Sequence, residues 1–235
     1  MAAYDSNLTD LCDAEAWIFD LDNTLYPAKS NLFAQVDVRI RDYVANHLGI
    51  DAAAAYRLQK QYFREHGTTM RGMMHHHGMD PGPFLDYVHD IDVSPVPPSP
   101  RLALALERLK GRKLIFTNGS VGHAERVTAR LGVGHCFETV FDIVASGYVP
   151  KPDPGIYAEL VRRHGLRPDR TVMVEDLARN LEPAAAMGMT TVWVRTDCQV
   201  GREGSGGDHV HHVIDDLAEW LDAVTAPARP AAARG

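Results

Sequence analysis

Short runs of apolar, β-branched and aromatic residues recur along the chain. They are four to eight residues long and carry little charge, which is typical of strands buried on both faces of a parallel sheet. The predicted strands are AWIF at 16–19, KLIFT at 113–117, TVFDIVAS at 139–146, TVMVE at 171–175 and TVWVR at 191–195.

Helices are predicted between and after these runs, where apolar residues recur at intervals of three and four. The clearest lie at 101–109, 122–132 and 152–165, and a last short strand and helix are predicted within 213–224. This alternation of strands and helices predicts an α/β fold with a Rossmann-like, doubly wound parallel sheet.

Residues 27–98 interrupt the alternation because their pattern is helical throughout. Ser30, Asp51 and Asp80 are candidate N-caps of successive helices, and a proline-rich connector follows at 94–100. We therefore predict an all-helical insertion between the first strand and the rest of the sheet.

The predicted organisation has four parts. Residues 1–26 and 99–224 form the core, residues 27–98 form the helical insertion, and residues 225–235 form a Pro/Ala-rich tail. The tail has little to bury, so we expect it to be disordered. The Gly-rich stretch 197–209 is predicted to be a mobile loop.

Composition limits the partners of the protein. The chain has 235 residues, 45% of them hydrophobic, and a formal charge of −7 without a basic stripe, which argues against a nucleic-acid polymer as partner. Cys12, Cys136 and Cys198 give neither a disulfide framework nor a zinc motif. Since no signal peptide or membrane-length apolar run is found, we expect a cytoplasmic protein without a membrane partner. The oligomeric state is left open.

Chemically useful polar residues follow the predicted strands. Ligands of open α/β sheets bind at the carboxyl ends of the strands, so these residues should meet in one crevice. They are Asp20 and Asp22 after the first strand, Thr117, Asn118 and Gly119 after the second, Lys151 after the third, and Glu175 and Asp176 after the fourth.

Oxygen ligands without His or Cys favour Mg²⁺, which binds carboxylates together with a substrate phosphate. Asp20, Asp22 and Asp176 are the candidate ligands, and Lys151 adds a positive charge. Thr117 and the two backbone amides that follow it can donate to phosphate oxygens. One aspartate can attack phosphorus and form an aspartyl-phosphate, while the other protonates the leaving oxygen and later activates water. These residues therefore predict hydrolysis of a small phosphate monoester.

In this order, the motifs Asp-x-Asp-Asn-Thr, Thr-Asn-Gly, Lys-Pro and Glu-Asp-x-x-x-Asn resemble those of the haloacid-dehalogenase-like (HAD) hydrolase superfamily. The resemblance covers about residues 15–195. It implies that Asp20 is the nucleophile and Asp22 the general acid/base. It also implies that Thr117 holds the phosphate and that Lys151 balances its charge.

The same resemblance implies a Mg²⁺ site formed by Asp20, the main-chain carbonyl of Asp22, and Asp176, with help from Glu175. Asn180 would position Lys151 or the acidic pair. The helical insertion would correspond to the C1 cap of this superfamily.

The segments FDLDNTLYP, GTTMRGMM, FLDYVHDID, IFTNGSVGHAERV and VEDLARNLEP resemble bacterial proteins grouped with pyrimidine 5′-nucleotidases. That grouping implies a nucleoside monophosphate such as UMP or CMP as substrate, selected by the cap. Asn23 stands where the superfamily commonly has glycine, and asparagine adopts left-handed backbone more readily than most residues.

Three alternatives stay beside this interpretation. The same chemistry could act on a sugar phosphate or phosphoglycolate. A carbon–halogen hydrolase is disfavoured because it has no alkoxide to protonate and no need of Asp22. A receiver-like signalling module also accepts phosphate on a similar sheet, but it is shorter and lacks the helical insertion.

Several residues have two interpretations. Arg71 either reaches the substrate from the cap or lies on its surface, and His123 either contacts the substrate or lies on the surface of its helix. The His tract at 75–77 is not expected to bind metal, because adjacent residues on a helix point in different directions. The tract at 209–212 is not expected to bind metal either, because it lies in or beside a loop with no partner carboxylate evident. The methionines between positions 70 and 74 are expected to fill the core of the insertion.

Overall fold

A parallel sheet of six strands forms the centre of the computed structural model, which describes residue 11 and residues 13–226. In chain order the strands are β1 (Ala16–Phe19), β2 (Arg112–Phe116), β3 (Thr139–Phe141), β4 (Thr171–Glu175), β5 (Thr190–Val194) and β6 (His212–Ile214). Across the sheet their order is β3-β2-β1-β4-β5-β6, and every neighbouring pair is parallel. The predicted doubly wound α/β fold is confirmed.

Strand β1 is buried along its whole length. Its neighbouring residues face opposite sides of the sheet, and a hydrophobic cluster covers each side. Trp17 and Phe19 belong to one hydrophobic cluster, and Ala16 and Ile18 belong to the cluster on the other face. Burial of one large apolar side chain contributes about 1.5–3 kcal/mol. Packing on both faces therefore fixes β1 at the centre of the sheet, and the residues after it emerge in the middle of the carboxyl edge.

The first four helices follow β1 in the chain. They are α1 (Leu32–Leu48), α2 (Ala52–His66), α3 (Thr69–His77) and α4 (Pro81–His89). They share a hydrophobic cluster in which Met70 and Met73 are buried and against which Met74 packs, so the expectation that these methionines fill the core is confirmed.

Two of the three predicted helix caps are present. Asp51 accepts a hydrogen bond from the Ala54 amide at 2.9 Å and begins α2, and Asp80 accepts one from the Gly82 amide at 3.0 Å and begins α4. The prediction that Ser30 caps α1 is wrong. Ser30 ends a 3₁₀ turn, and the next residue, with φ 58°, takes the N-cap position without a side-chain hydrogen bond.

Six further helices follow in the described chain, and the first of them lies just before β2. They are α5 (Pro100–Arg108), α6 (Val121–Leu131), α7 (Pro154–His164), α8 (Glu182–Ala186), α9 (Gln199–Arg202) and α10 (Leu217–Val224). Helices α5, α6 and α10 bury apolar residues in the cluster of Trp17, whereas α7 and α8 cover the opposite face. Within the described part of the chain, none of the helices has the length and apolarity needed to span a membrane.

The predicted strand 139–146 is shorter than expected, because β3 ends at Phe141. The Asp142 carboxylate accepts hydrogen bonds from the amides of Val121 at 3.0 Å and Ala145 at 2.8 Å, and these bonds turn the chain away from the sheet. A polar side chain inside the apolar run therefore ends the strand.

The stretch 197–209 is not loop throughout, because it contains the short helix α9. Gly201 in this helix lies against the carbonyl oxygen of Asp176, where a Cβ atom would come within 3.0 Å of that oxygen. Close packing on the end of β4 therefore orders part of a sequence that has no apolar pattern of its own. Of the predicted tail, residues 227–235 lie outside the described residues, as does Cys12.

Candidate active site

Asp20 lies directly after β1, and its backbone amide donates to the carbonyl of Val174 at 2.9 Å. Both carboxylate oxygens have partners. Oδ1 accepts from Lys151 Nζ at 2.8 Å, and Oδ2 accepts from Thr24 Oγ1 at 2.9 Å. The side chain is only 9% exposed, so this carboxylate is held in one orientation at the carboxyl edge of the sheet.

Lys151 is the buried cation of the site, with 1% of its side chain exposed. Its Nζ donates to Asp20 Oδ1 at 2.8 Å, to Glu175 Oε2 at 2.9 Å and to the Phe116 carbonyl at 2.9 Å. Its backbone amide donates to Asn118 Oδ1 at 2.9 Å. Burial alone would lower the pKa of Lys151, but the two carboxylates outweigh burial and raise it above the usual lysine value.

Glu175 is the last residue of β4, and Asp176 follows it. Asn180 donates from Nδ2 to Glu175 Oε1 at 2.5 Å, so its side chain contacts the acidic pair rather than the lysine. The backbone carbonyl of Asp176 accepts from Trp193 Nε1 at 2.8 Å. Carboxylate oxygens of Asp20, Glu175 and Asp176 all lie within 4.8 Å of one another.

These three buried carboxylates share one lysine, which leaves an excess of two negative charges when all are ionised. Burial and mutual repulsion raise the pKa of Glu175 to about 7 and raise the pKa of Asp176 well above its usual value. Burial also raises the pKa of Asp20, although Lys151 opposes the rise. An all-oxygen donor set with this charge excess fits a hard divalent cation such as Mg²⁺.

Asp22 has its own set of partners. Its Oδ1 accepts from Tyr26 Oη at 2.5 Å and pairs with His123 Nε2 at 2.8 Å. Burial would raise the pKa of Asp22, but the charge and hydrogen bond of His123 and the hydrogen bond of Tyr26 outweigh burial and lower it. Asn23 has φ 62°, so the residue after Asp22 adopts the left-handed backbone expected for the turn.

His123 is completely buried, so the expectation that it lies on a helix surface is wrong. It is in the first turn of α6, where its ring stacks on the ring of His89 with centroids 4.6 Å apart and an interplanar angle of 12°. Burial and the neighbouring His123 ring lower the pKa of His89 to about 3. Sequence reasoning missed His89, Thr24 and the contact of Tyr26. Thr24 and Tyr26 lie four residues after the carboxylates that they contact, whereas His89 meets His123 only through tertiary packing.

The predicted phosphate loop follows β2. The Thr117 amide donates to the Phe141 carbonyl at 3.1 Å, and the buried Thr117 hydroxyl oxygen accepts from the Gly119 amide at 2.9 Å. The Gly119 amide is therefore already engaged, contrary to the expectation that it is ready to donate to phosphate. The Asn118 amide donates to no described residue, whereas its side chain holds the Lys151 backbone.

Arg71 lies beside the loop that carries Lys151. Its Nη1 is 4.0 Å from Asp153 Oδ2, and both side chains are about two fifths exposed. Arg71, Glu65, His66 and the 150–153 loop line a surface pocket of about 280 Å³. Among the described residues, no hydrogen bond or ion pair joins Arg71 to the buried carboxylates, so Arg71 is a surface residue in this conformation.

The two His tracts have different surroundings. His76 Nε2 lies 2.9 Å from His66 Nε2, and together with Glu65 these groups are close enough for a metal ion, although adjacent histidines were not expected to bind one. His211 Nδ1 accepts from the Thr191 amide at 3.0 Å, so the second tract supports strand β5.

Fold and site together define an α/β protein with clustered, buried carboxylates at the carboxyl edge of a parallel sheet. Residues 14–188 match the family model described as haloacid dehalogenase-like hydrolase, and the chain belongs to that family. This membership agrees with the superfamily indicated by the motifs and sets aside the receiver-like signalling module.

Two relatives are similar in sequence to most of this chain. A protein named Glyceraldehyde 3-phosphate phosphatase from Methanopyrus kandleri is 30% identical over 231 residues, covering 92% of this chain and 99% of the relative. The yeast protein Phosphate metabolism protein 8 from Saccharomyces cerevisiae is 27% identical over 220 residues, covering 86% of this chain. The chain spans only 62% of that yeast relative.

Solved structures show the same fold. A HAD phosphatase from Thermococcus onnurineus aligns with a TM-score of 0.62 at 19% identity, covering 89% of this chain and 97% of the other. A dehalogenase with an intermediate complex aligns with a TM-score of 0.61 at 20% identity, covering 92% and 99%. Both enzyme types thus share this fold, and none of these matches singles out the pyrimidine 5′-nucleotidase group, which stays a prediction.

Proposed function

We propose that the protein is a Mg²⁺-dependent phosphomonoester hydrolase that forms an aspartyl-phosphate on Asp20. The observation that carries this proposal is Lys151 Nζ, which lies within 2.9 Å of both Asp20 and Glu175 beside a third buried carboxylate. A cation at this position stabilises charge that develops on a transferred phosphoryl group. The relatives named as phosphatases support the same reaction class.

In the first step, a carboxylate oxygen of Asp20 forms a bond to phosphorus while the bond from phosphorus to the leaving oxygen breaks. Asp22 supplies the proton that the leaving oxygen takes up. In the second step, Asp22 accepts a proton from water as the water oxygen attacks the phosphorus of the aspartyl-phosphate, which releases phosphate and restores Asp20. Thr117 and the free Asn118 amide would hold phosphate oxygens through both steps.

Mg²⁺ fits the carboxylates at the end of β1 and β4. Asp20, the main-chain carbonyl of Asp22, and Asp176 would hold it, with Glu175 next to them. When bound, the ion would offset the negative charge of the site and of the substrate phosphate.

Asp22 favours ester hydrolysis over carbon–halogen cleavage. A halide leaves without a proton, so a dehalogenase does not require an acid two residues after its nucleophile. Here Asp22 is held by two donors, Tyr26 and His123, at 2.5 and 2.8 Å. A carboxyl group fixed in this way has one defined orientation for proton transfer with the leaving oxygen.

For the substrate, we propose a pyrimidine nucleoside monophosphate, which is supported by the resemblance of several segments to pyrimidine 5′-nucleotidases. The helical segment 27–98 would act as the cap that closes over the site and selects the substrate. A second candidate is a small phosphorylated metabolite, because the Methanopyrus kandleri relative named for glyceraldehyde 3-phosphate aligns over 92% of this chain. We also propose that the enzyme works in the cytoplasm.

The reaction is tested by hydrolysis of p-nitrophenyl phosphate with Mg²⁺. We expect steady turnover by the wild-type protein and its loss in EDTA or in Asp20→Asn, because the amide is a poor nucleophile. Asp86→Asn is the matched control, since Asp86 is exposed on α4, and it should retain full activity. Undiminished turnover by Asp20→Asn would refute Asp20 as the nucleophile.

The substrate is tested separately by phosphate release from UMP, CMP, dTMP, AMP, GMP, glyceraldehyde 3-phosphate and phosphoglycolate. We expect the highest kcat/KM for UMP or CMP. A higher value for a three-carbon or two-carbon phosphate would replace the nucleotide by the second candidate and leave the reaction unchanged.

A further inference from the structure

The two carboxylate oxygens of Asp22 are in different environments. Oδ1 accepts from Tyr26 Oη at 2.5 Å and pairs with His123 Nε2 at 2.8 Å, whereas Oδ2 accepts no hydrogen bond from any described residue. An oxygen with two donors is a poor position for a proton. The proton that Asp22 carries or accepts therefore belongs on Oδ2.

His123 is placed by its neighbours rather than by solvent. Its ring is completely buried and stacks on His89, while its backbone amide donates to Ser120 Oγ at 3.4 Å, which also pairs with His89 Nδ1 at 2.9 Å. The Nδ1 atom of His123 has no hydrogen-bond partner within the described part of the chain. Asp22 is thus the only described group that satisfies the polar side chain of this buried histidine.

Neighbouring atoms leave this ring little room to move. A Cβ atom at Gly119 would lie 3.3 Å from His123 Cδ2 and 3.6 Å from His89 Nε2, so the glycine allows the phosphate loop to pack directly on both rings. The carbonyl of His89 is in turn held by Arg126 at 2.6 Å. The ring is therefore fixed by contacts from α4, α6 and the loop after β2.

We propose that His123, together with Tyr26, is a positioning residue that holds Oδ1 of Asp22 and so directs Oδ2 toward the leaving oxygen. This inference rests on the proposed phosphomonoesterase function. Histidine is suited to the role because its rigid ring donates from a defined direction, and a hydrogen bond to a carboxylate is stronger than one between neutral groups. Misplacement of a catalytic group by about 1 Å can cost roughly 100-fold in rate.

The stack also connects the helical segment to the acid. His89 is the last residue of α4, so a shift of α4 relative to the sheet would move the ring on which His123 rests. The position of Asp22 would then depend on how the proposed cap sits over the site. His89→Ala, which removes the stacked ring without touching Asp22, should produce a smaller effect of the same kind as loss of His123.

The test uses leaving groups that differ in their need for a proton. An alkyl phosphate releases an alkoxide that must be protonated, whereas p-nitrophenolate leaves without an acid. We compare kcat/KM for p-nitrophenyl phosphate with kcat/KM for the best alkyl phosphate of the substrate panel. General acid catalysis contributes about 100-fold or more, so losing the position of Asp22 should lower the alkyl-to-nitrophenyl ratio by about that factor.

Two variants at the same position separate the donor from the ring. His123→Phe keeps a ring that can stack on His89 but removes the donor, and we expect the ratio to fall about 100-fold. His123→Gln keeps an N–H donor and should recover most of the ratio. Tyr26→Phe, which removes the other donor to Oδ1, should lower the ratio in the same direction.

The ratio distinguishes positioning from a structural role, because a loss of folded enzyme lowers both kcat/KM values equally. Equal losses on the two substrates, or identical ratios for His123→Phe and His123→Gln, would overturn the inference. If the wild-type protein hydrolyses neither ester, the proposed function fails first and this inference fails with it.

Discussion

Lys151 is the residue whose removal tests the electrostatics of the site most directly. Lys151→Met keeps the length of the side chain but removes the charge and the three hydrogen bonds to Asp20, Glu175 and Phe116. Removing one partner of a buried ion pair costs about 3–5 kcal/mol, because the other charge is left without compensation. We therefore expect the free energy of unfolding in EDTA to fall by about 3–5 kcal/mol near neutral pH.

The loss should depend on pH in a defined direction. Lys151 lowers the pKa of both Asp20 and Glu175, so its removal raises both values. Each further increase of one pH unit in the pKa of a carboxyl group in the folded state lowers the free energy of unfolding by about 1.4 kcal/mol, at pH values above that pKa. Because the pKa of Glu175 is already raised from 4.5 to about 7, the native state binds more protons than the unfolded state between these values, and stability falls as pH rises. The variant should therefore lose more stability at pH 8 than at pH 5.

Urea denaturation followed by the fluorescence of the buried Trp17 and Trp220 measures these free energies. The matched control is Lys29→Met, since Lys29 is exposed in the 3₁₀ turn before α1 and should change stability by less than about 0.5 kcal/mol. A loss below about 1 kcal/mol for Lys151→Met, or an equal loss at pH 5 and pH 8, would refute the account of a lysine that balances buried carboxylates.

Two further predictions concern neighbours of the site. Asn180→Leu leaves Glu175 Oε1 without its donor, so urea denaturation should show a free energy of unfolding lower by about 1–3 kcal/mol, and kcat should fall. Asn180→Asp also lacks the N–H group, and unchanged stability and kcat in that variant would contradict the need for this donor. Gly201→Ala places a Cβ atom 3.0 Å from the Asp176 carbonyl and against the Thr196 methyl, so thermal unfolding should show a loss of about 1–3 kcal/mol. An unchanged melting temperature for Gly201→Ala would mean that α9 moves away from β4 without cost.

The residues at the carboxyl edge of the sheet could be predicted from sequence, because the pattern that identifies them lies within a few neighbouring positions of the chain. The predicted catalytic residues follow apolar runs, and the rule that carboxyl ends of parallel strands share one edge brings Asp20, Lys151 and Glu175 together. Asp51 and Asp80 were predicted as caps for the same reason, since a cap and its amide lie within three residues of each other.

The contact of His123 with Asp22, which lies 101 positions away in the chain, could not be predicted, because the rule for strand ends does not apply to a residue inside a helix. Helical periodicity assigns residues to a face of α6, but it does not say which part of another segment that face meets. His89 presents the same difficulty, since it lies on α4 and its ring meets α6 only through tertiary packing.

Smaller errors arose where a local signal competed with a neighbouring contact. Asp142 interrupts an apolar run, and its hydrogen bonds to two amides end β3 earlier than the run suggests. Ser30 has the side chain of a good cap, but the 3₁₀ turn that contains it delays the helix by one residue. The helix α9 has no periodic signal, because its order comes from contact with the end of β4.

The three hydrogen bonds of Lys151 have a consequence for ligand affinity. A lysine ammonium has three protons, and in this structure Asp20, Glu175 and the Phe116 carbonyl take all of them. Lys151 can donate to a bound phosphate oxygen only if it loses its hydrogen bond to one of these three acceptors. Phosphate binding therefore replaces one hydrogen bond of the ammonium group and does not add a fourth. In the proposed phosphatase, the contribution of Lys151 to phosphate affinity would accordingly be small, because departure of the phosphate restores the hydrogen bond that its binding displaced.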